Sequence, residues 1–148
     1  MPSQTLALLL VIVMGVLLSV QAPINATLAR ALQSSVSAAL VSFVVGTVAL
    51  AGVALAARVP PDAAAVRALP WWAWIGGLCG AVFVAGAAYA APKVGVATLL
   101  TVGVASQLVA AVVIDHVGAF GLARQAITTG RLLGVGLVIA GAVLVRRG

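Results

Sequence analysis

Five apolar runs dominate this sequence, and each is long enough to cross a bilayer. They cover approximately residues 4–31, 35–57, 71–91, 94–114 and 131–145. A hydrocarbon core about 30 Å thick needs roughly 20 helical residues, because a spanning segment has to satisfy its own backbone hydrogen bonds. The pattern therefore predicts an all-α integral membrane protein, in which residues 1–148 form a single domain of five transmembrane helices.

The composition excludes a soluble domain and a nucleic-acid partner. Hydrophobic residues make up 64% of the 148 residues and charged residues only 7%, which is too few to cover the surface of a soluble protein. The net charge is +6, but the eight basic residues occur one or two at a time between or beside the runs. Such scattered residues are typical of anchors that flank membrane helices. The expected surroundings are a lipid bilayer.

The basic residues are divided equally between the two membrane faces if the five runs alternate in direction. Four fall on each side: Arg58, Arg67, Arg124 and Arg131 on the side of the N-terminus, and Arg30, Lys93, Arg146 and Arg147 on the other. The positive-inside rule then gives no preferred orientation. This balance favours insertion both ways and pairing as an antiparallel homodimer, with ten helices in inverted-repeat symmetry. Pairing with a homologous chain of opposite bias, or a fixed orientation with balance by chance, are the alternatives.

The first run ends in the sequence QAPINATLAR, which places two amides and a proline in an apolar segment. Gln21 and Asn25 are four residues apart and would share one helix face. Pro23 has no N–H group, so it would free the carbonyl of Ser19 and kink the helix. We predict a first helix that continues to Ala31, is bent at Pro23 and turns these polar groups towards a cavity. A water-exposed loop in this stretch is the alternative.

Uncharged polar and aromatic side chains inside the other runs are further candidates for a cavity. Gln107 lies in the middle of the fourth run, where its amide needs a partner because an unsatisfied amide in hydrocarbon is costly. It either joins two helices or lines the cavity. Ser42 and Thr101 are weaker candidates, because their hydroxyls can bond to their own helices. Trp74 and Tyr89 provide either cavity walls or anchors at the membrane interface.

Asp115 and His116 form the only neighbouring acid–imidazole pair, at the end of the fourth run. His116 is the side chain that ordinarily titrates near neutral pH, and an acid within a membrane is a candidate for proton coupling. A role at the interface, as a hydrogen-bond acceptor for the turn before Gly118, is the alternative. No acid lies in the centre of a run, which disfavours a buried site for a cationic drug and favours neutral, zwitterionic or anionic substrates.

Several stretches, taken in order, resemble one known family. They are QAPINATL, AALVSFVVGTVAL, PWWAWIGGLCGAVFV, APKVGVAT, SQLVAAVVIDHVGAFG and RLLGVGLVIAGAVLV. Together they resemble the YdcZ-like family of the drug/metabolite transporter superfamily. One departure is Ser106, where the family pattern has glycine. The resemblance implies a five-helix protein of the bacterial inner membrane, equivalent to half of a ten-helix transporter fold.

The function implied by this resemblance is transport. The sequence-based prediction is that a dimer exports a small metabolite or drug-like solute by alternating access. The predicted substrate cavity contains Ser19, Gln21, Asn25, Ser42, Trp74, Tyr89, Thr101 and Gln107. A dual-topology passive channel for a small ion, or a membrane assembly subunit that does not transport, are the alternatives. An enzyme is disfavoured, since no nucleophile–base set or metal-ligand cluster is present. We expect no cofactor and no metal.

Overall fold

The computed structural model describes residues 2–59 and 62–148, and all regular secondary structure in these ranges is helical. Within these ranges there are six α-helices: α1 (Pro2–Ala31), α2 (Ser35–Ala56), α3 (Ala63–Arg67), α4 (Ile75–Val94), α5 (Val96–Val117) and α6 (Thr129–Arg147). Two short 3₁₀ helices, Trp71–Trp74 and Ala119–Gly121, precede α4 and follow α5.

Five segments in the described ranges have the length and composition of membrane spans. These are Gln4–Ala31, Ser35–Ala56, Trp71–Val94, Val96–Val117 and Thr129–Arg147. Their number confirms the all-helical membrane protein with five spans that the apolar runs predict. The stretch QAPINATLAR lies within α1, so it is helical and not a loop.

The chain divides into two compact units, Met1–Lys93 and Val94–Gly148. In the first unit α1 packs against α2, and in the second α5 packs against α6. Among the described residues the buried apolar side chains are small, nine alanines and one valine: Ala22, Ala26, Ala38, Ala39, Val84, Ala87, Ala88, Ala91, Ala105 and Ala142. Small side chains let helix backbones approach closely, which is how helices associate in lipid. Most large apolar side chains are left on the outside, where lipid covers them.

A tight turn connects α1 to α2. Gln33 adopts a left-handed conformation with φ of 51°. Its N–H group donates to the carbonyl of Arg30 at 3.4 Å, and that of Ser34 donates to the carbonyl of Ala29 at 3.1 Å. These two bonds form a Schellman motif, which closes the end of a helix. The hydroxyl of Ser34 then accepts from the N–H group of Ser37 at 3.1 Å and caps α2. The C-terminus of α1 therefore lies beside the N-terminus of α2.

Several helix ends differ from the sequence prediction. Pro92 and Lys93 fall between the third and fourth apolar runs, but α4 continues through both to Val94. The break follows at Gly95, whose φ of 81° suits a residue without a Cβ atom. α5 extends three residues beyond the predicted end, since Asp115 and His116 remain helical.

The connection between α2 and α4 also contains structure that its prolines and charges do not predict. A side-chain oxygen of Asp62 accepts from the N–H group of Ala64 at 2.9 Å and caps the five-residue helix α3. This is the usual role of aspartate at a helix N-cap. Pro60 and Pro61 lie outside the described residues.

Candidate functional site

A pocket of about 220 Å³ lies among the helices of the first unit. We call it the polar pocket, and its walls are formed by Gln21, Ser42, Phe43, Gly46, Thr47, Leu50 and Val84. Three of these side chains carry hydrogen-bonding groups, an amide and two hydroxyls, and none is charged. Such a wall offers donors and acceptors to a solute without offering a counter-ion.

Asn25 does not line the polar pocket, but it contacts Ser42, which does. Its side chain is only 3% exposed and is the single buried polar residue in the described part of the chain. The hydroxyl of Ser42 donates a hydrogen bond to Asn25 Oδ1, which links α1 to α2. In hydrocarbon an unpaired amide costs several kcal/mol on the scale of polar-group transfer, so this contact fixes how the two helices face each other.

The polar pocket lies at mid-depth of the spanning segments. Gly46 and Thr47 are at the midpoint of α2, which runs from Ser35 to Ala56. At 1.5 Å per residue they are about 17 Å from its first residue. A helix of this length is long enough to cross the hydrocarbon core, and the pocket lies near the middle of that length.

One wall of the polar pocket depends on a glycine in α4. A Cβ atom at Gly80 would lie 3.3 Å from Cζ of Phe43. The ring therefore packs directly against the α4 backbone, and a larger residue at this position would have to displace it. Gly80 belongs to the glycine-rich sequence WIGGLCGA, which thus admits an aromatic side chain of α2.

Pro23 lies within α1, two residues from each of the amides Gln21 and Asn25. Because proline has no N–H group, it cannot donate to the carbonyl of Ser19. The hydroxyl of Thr27 donates to the carbonyl of Pro23 at 3.0 Å, and the hydroxyl of Ser19 donates to Gly15 at 2.9 Å. Ser19 is half-buried and is not part of the wall of the polar pocket. The bend at Pro23 stays a prediction.

Tyr89 lines a different pocket of the first unit, at the ends of α1 and α4. This pocket measures about 250 Å³, and its polar wall consists of Arg30, Gln33, Ser34, Ser35, Tyr89 and Lys93. We call it the basic pocket. Nζ of Lys93 lies 3.5 Å from the centre of the Tyr89 ring, a cation–π contact. Trp74 lines neither pocket; it belongs to the 3₁₀ helix Trp71–Trp74 and is 60% exposed.

The second unit contains the one ion pair found among the described residues. Nη1 of Arg131 lies 3.4 Å from Oδ2 of Asp115, and both side chains are 34% exposed. Arg131 also donates to Oε1 of Gln125. The N–H group of Gln125 donates to the backbone carbonyl of Asp115 at 2.9 Å. The connection after α5 is thereby tied to both helices that it joins.

His116 is exposed and takes no part in this ion pair. Its backbone carbonyl accepts from Nε of Arg124 at 3.3 Å. Asp115 and Arg131 line a pocket of about 290 Å³ together with small and aliphatic residues of α5 and α6. The carboxylate of Asp115 is therefore engaged by a cation at a helix end, and imidazole is not its partner.

Thr101 and Gln107 lie on α5 without forming a polar cluster. The hydroxyl of Thr101 donates to the carbonyl of Ala97 in its own helix at 2.9 Å. Gln107 is at the middle of α5 and is exposed. Its side chain has no hydrogen-bond partner within the ranges that the structure describes.

A sequence model of the family described as "Putative inner membrane exporter, YdcZ" matches residues 6–144, nearly the whole chain. The chain belongs to the YdcZ family. The match confirms the resemblance seen in the sequence, and together with the five apolar helices it makes the chain a multi-pass protein of the inner membrane. No curated protein and no solved structure matches the chain.

In this YdcZ-family chain the structure brings together three of the residues that the sequence singles out, Gln21, Asn25 and Ser42. It separates Tyr89 from them. Thr47 lines the polar pocket but is not among the residues predicted for the cavity, because a threonine in a helix can bond to its own backbone. It lies five residues after Ser42, about 140° further round α2, so helix spacing alone gives no signal that would place both in one wall.

Proposed function

We propose that this chain is a subunit of an inner-membrane exporter that carries a small solute without net positive charge. The observation that carries the proposal is the polar pocket at mid-depth, with Asn25 buried behind it. Uncharged donors and acceptors at the bilayer midplane are costly unless they are paired or line a path for solute. The absence of a carboxylate from the pocket wall removes the counter-ion that a cationic drug would need.

The functional unit in this proposal is a dimer of antiparallel copies. A pocket of about 220 Å³ is smaller than the roughly 300–1,000 Å³ of sites that enclose small molecules. A second copy would complete it. The equal division of Lys and Arg between the two faces supports opposite orientations for the two copies.

The exposed amide of Gln107 supports the same arrangement, because a second copy can provide its missing partner. Two copies related by an axis in the membrane plane would form the inverted-repeat geometry of many transporters. Exchange of the two copies' conformations then turns the shared cavity from one membrane face to the other. This exchange is the alternating access that the proposal requires.

Flux from proteoliposomes tests the transport function. Vesicles containing the purified chain are loaded with a mixed extract of small metabolites, and the solutes that leave are identified by mass spectrometry against protein-free vesicles. We expect the release of selected neutral, zwitterionic or anionic solutes, with saturation and with exchange against external solute. Release without saturation would indicate a channel, and equal loss from both kinds of vesicle would indicate a subunit that does not transport.

Reporters fused to the C-terminus test the antiparallel pairing. One reporter is active only in the cytoplasm and the other only outside it. The proposal predicts that both give signal from the same chain in comparable amounts. A signal from one side alone would exclude the antiparallel homodimer.

A further inference from the structure

We propose that the basic pocket is a binding site for a phosphate-bearing anion, either the headgroup of an anionic lipid or a soluble phosphate compound. The pocket lies where the C-termini of α1 and α4 meet the N-terminus of α2. Arg30 belongs to the last turn of α1 and Lys93 to the last turn of α4. Helix ends of membrane spans lie at headgroup depth, where both kinds of anion are accessible.

The positive charge of the basic pocket has no internal counter-ion. The whole chain has only two acidic residues, Asp62 and Asp115. Asp62 caps α3, and Asp115 pairs with Arg131. Neither contributes to the wall of the basic pocket. Two cations that share one concave site without a carboxylate attract an anion from outside the chain.

Free donors remain on both cations. Arg30 donates one hydrogen bond, from Nη2 to the hydroxyl of Thr27 at 3.1 Å, and a guanidinium has five N–H donors. The ammonium of Lys93 is held over the ring of Tyr89 and has three. Such groups form short, charge-assisted hydrogen bonds with phosphate oxygens.

Two hydroxyl groups, those of Ser34 and Ser35, complete the polar wall of the basic pocket. Ser34 accepts from the backbone of α2, which leaves the hydroxyl hydrogen of Ser34 available as a donor. Ser35 is the first residue of α2 and also lines the pocket. The volume of about 250 Å³ admits a phosphate group with part of the molecule that bears it.

Arg146 and Arg147 provide a matched comparison within the same chain. They lie in the last turn of α6 and are exposed, and neither lines the basic pocket. They have the position of interfacial anchors without the concave wall. If Arg30 and Lys93 were anchors only, removal of either pair would have the same effect on anion binding.

The test uses the full-length chain, purified in a neutral detergent and freed of lipid. Inorganic phosphate is titrated into it at constant ionic strength, with chloride as the reference anion. In a second series, short-chain phosphatidylglycerol is compared with phosphatidylcholine that has the same tails. The variants are Arg30→Gln, Lys93→Gln, the conservative Lys93→Arg, and the control pair Arg146→Gln with Arg147→Gln.

We expect Arg30→Gln and Lys93→Gln each to weaken binding by about tenfold or more, the size of a charge-assisted hydrogen bond. Lys93→Arg should retain binding, and the control pair should change it by less than about twofold. If phosphatidylglycerol binds and inorganic phosphate does not, the site binds lipid. If inorganic phosphate also binds, the site accepts a soluble anion. Either result supports the proposal. If Arg30→Gln fails to fold, the comparison of Lys93→Gln with Lys93→Arg still tests the proposal.

Two results would overturn the proposal. One is binding of phosphate and phosphatidylglycerol no stronger than that of chloride and phosphatidylcholine. The other is an equal loss of binding in the control pair. Neither result bears on solute flux through the polar pocket, so this proposal can fail while the proposed export function stands.

Discussion

The two units of the chain use opposite chemistry for their main polar contacts. In the first unit, the buried amide of Asn25 accepts an uncharged hydrogen bond from the half-buried hydroxyl of Ser42. In the second, Asp115 and Arg131 form an ion pair whose side chains are one-third exposed. The uncharged contact lies inside the spans, and the charged one lies where α5 ends and α6 begins.

Membrane depth explains this difference. A charge at the bilayer centre costs at least about 2.5–3.5 kcal/mol even on the mildest scale, whereas a neutral pair satisfies itself. At a helix end water and headgroups solvate the ions, and an exposed pair then contributes about 0–1 kcal/mol. We therefore expect the first contact to be important for helix packing and transport, and the second to be of minor importance for both.

The largest effect is expected for Asn25→Ala. Removal of the amide leaves the hydroxyl of Ser42 without its partner, which should lower the free energy of unfolding by about 1–3 kcal/mol and abolish solute flux. The stability is measured by denaturant titration in mixed micelles, and a double-mutant cycle with Ser42→Ala isolates the pair. Thr27→Val on the same helix is the control. Thr27 is exposed, and its hydroxyl forms hydrogen bonds only within α1, with Pro23 and Arg30. A coupling energy near zero would contradict the importance of this contact.

A somewhat smaller loss is expected for Gly118→Ala, which tests the turn that supports the second unit. Gly118 has φ of 67°, and a Cβ atom there would lie 2.5 Å from Cγ of Arg124 and 3.1 Å from the carbonyl oxygen of Leu122. The left-handed conformation alone costs an alanine about 1–2 kcal/mol. Gly141→Ala, within α6 and without neighbours inside 4 Å, should be neutral or stabilising in the same unfolding measurement. Equal effects of the two variants would mean that the turn is not strained by a side chain.

The smallest effect is expected for Asp115→Asn. Because both partners of the ion pair are partly exposed, the free energy of unfolding should fall by no more than about 1 kcal/mol. The pH profile of solute flux should keep its shape, since Arg131 already engages the carboxylate. A flattened profile would instead give Asp115 the proton-coupling role. His116→Gln, tested in parallel, separates the imidazole from the acid.

The five spans and the polar end of α1 are predictable because they depend on local sequence. Runs of about 20 apolar residues can satisfy their backbone only as helices, and an amide four residues from another shares its face. The pairing of Asn25 with Ser42 is not predictable in this way. It depends on how α1 packs against α2 and on the Schellman turn at Gln33. Glycine is the residue that usually indicates such a turn, and glutamine does not.

The polar groups of the second unit show the same limit. Asp115 is recognisable as a candidate from its type and position, but its partner Arg131 is 16 residues further on, beyond a connection without periodic sequence. The sequence predicts Tyr89 in the substrate cavity because it is an aromatic residue inside a span. Its position one turn before Lys93 puts it in the basic pocket instead, because residues four apart share a helix face.

Access of water-soluble reagents to the polar pocket is the most direct test of alternating access. Cys79 is the only cysteine, so Thr47→Cys in a Cys79→Ser background gives a single thiol in the pocket wall. Val45→Cys, at an exposed apolar position of α2, is the control. Membrane vesicles are treated from one side with an impermeant maleimide. For antiparallel copies that alternate, we predict that labelling of Thr47→Cys proceeds well beyond half of the chains, while Val45→Cys stays unlabelled. Labelling of Thr47→Cys that stops at half, or that never exceeds the control, would contradict alternating access through this pocket.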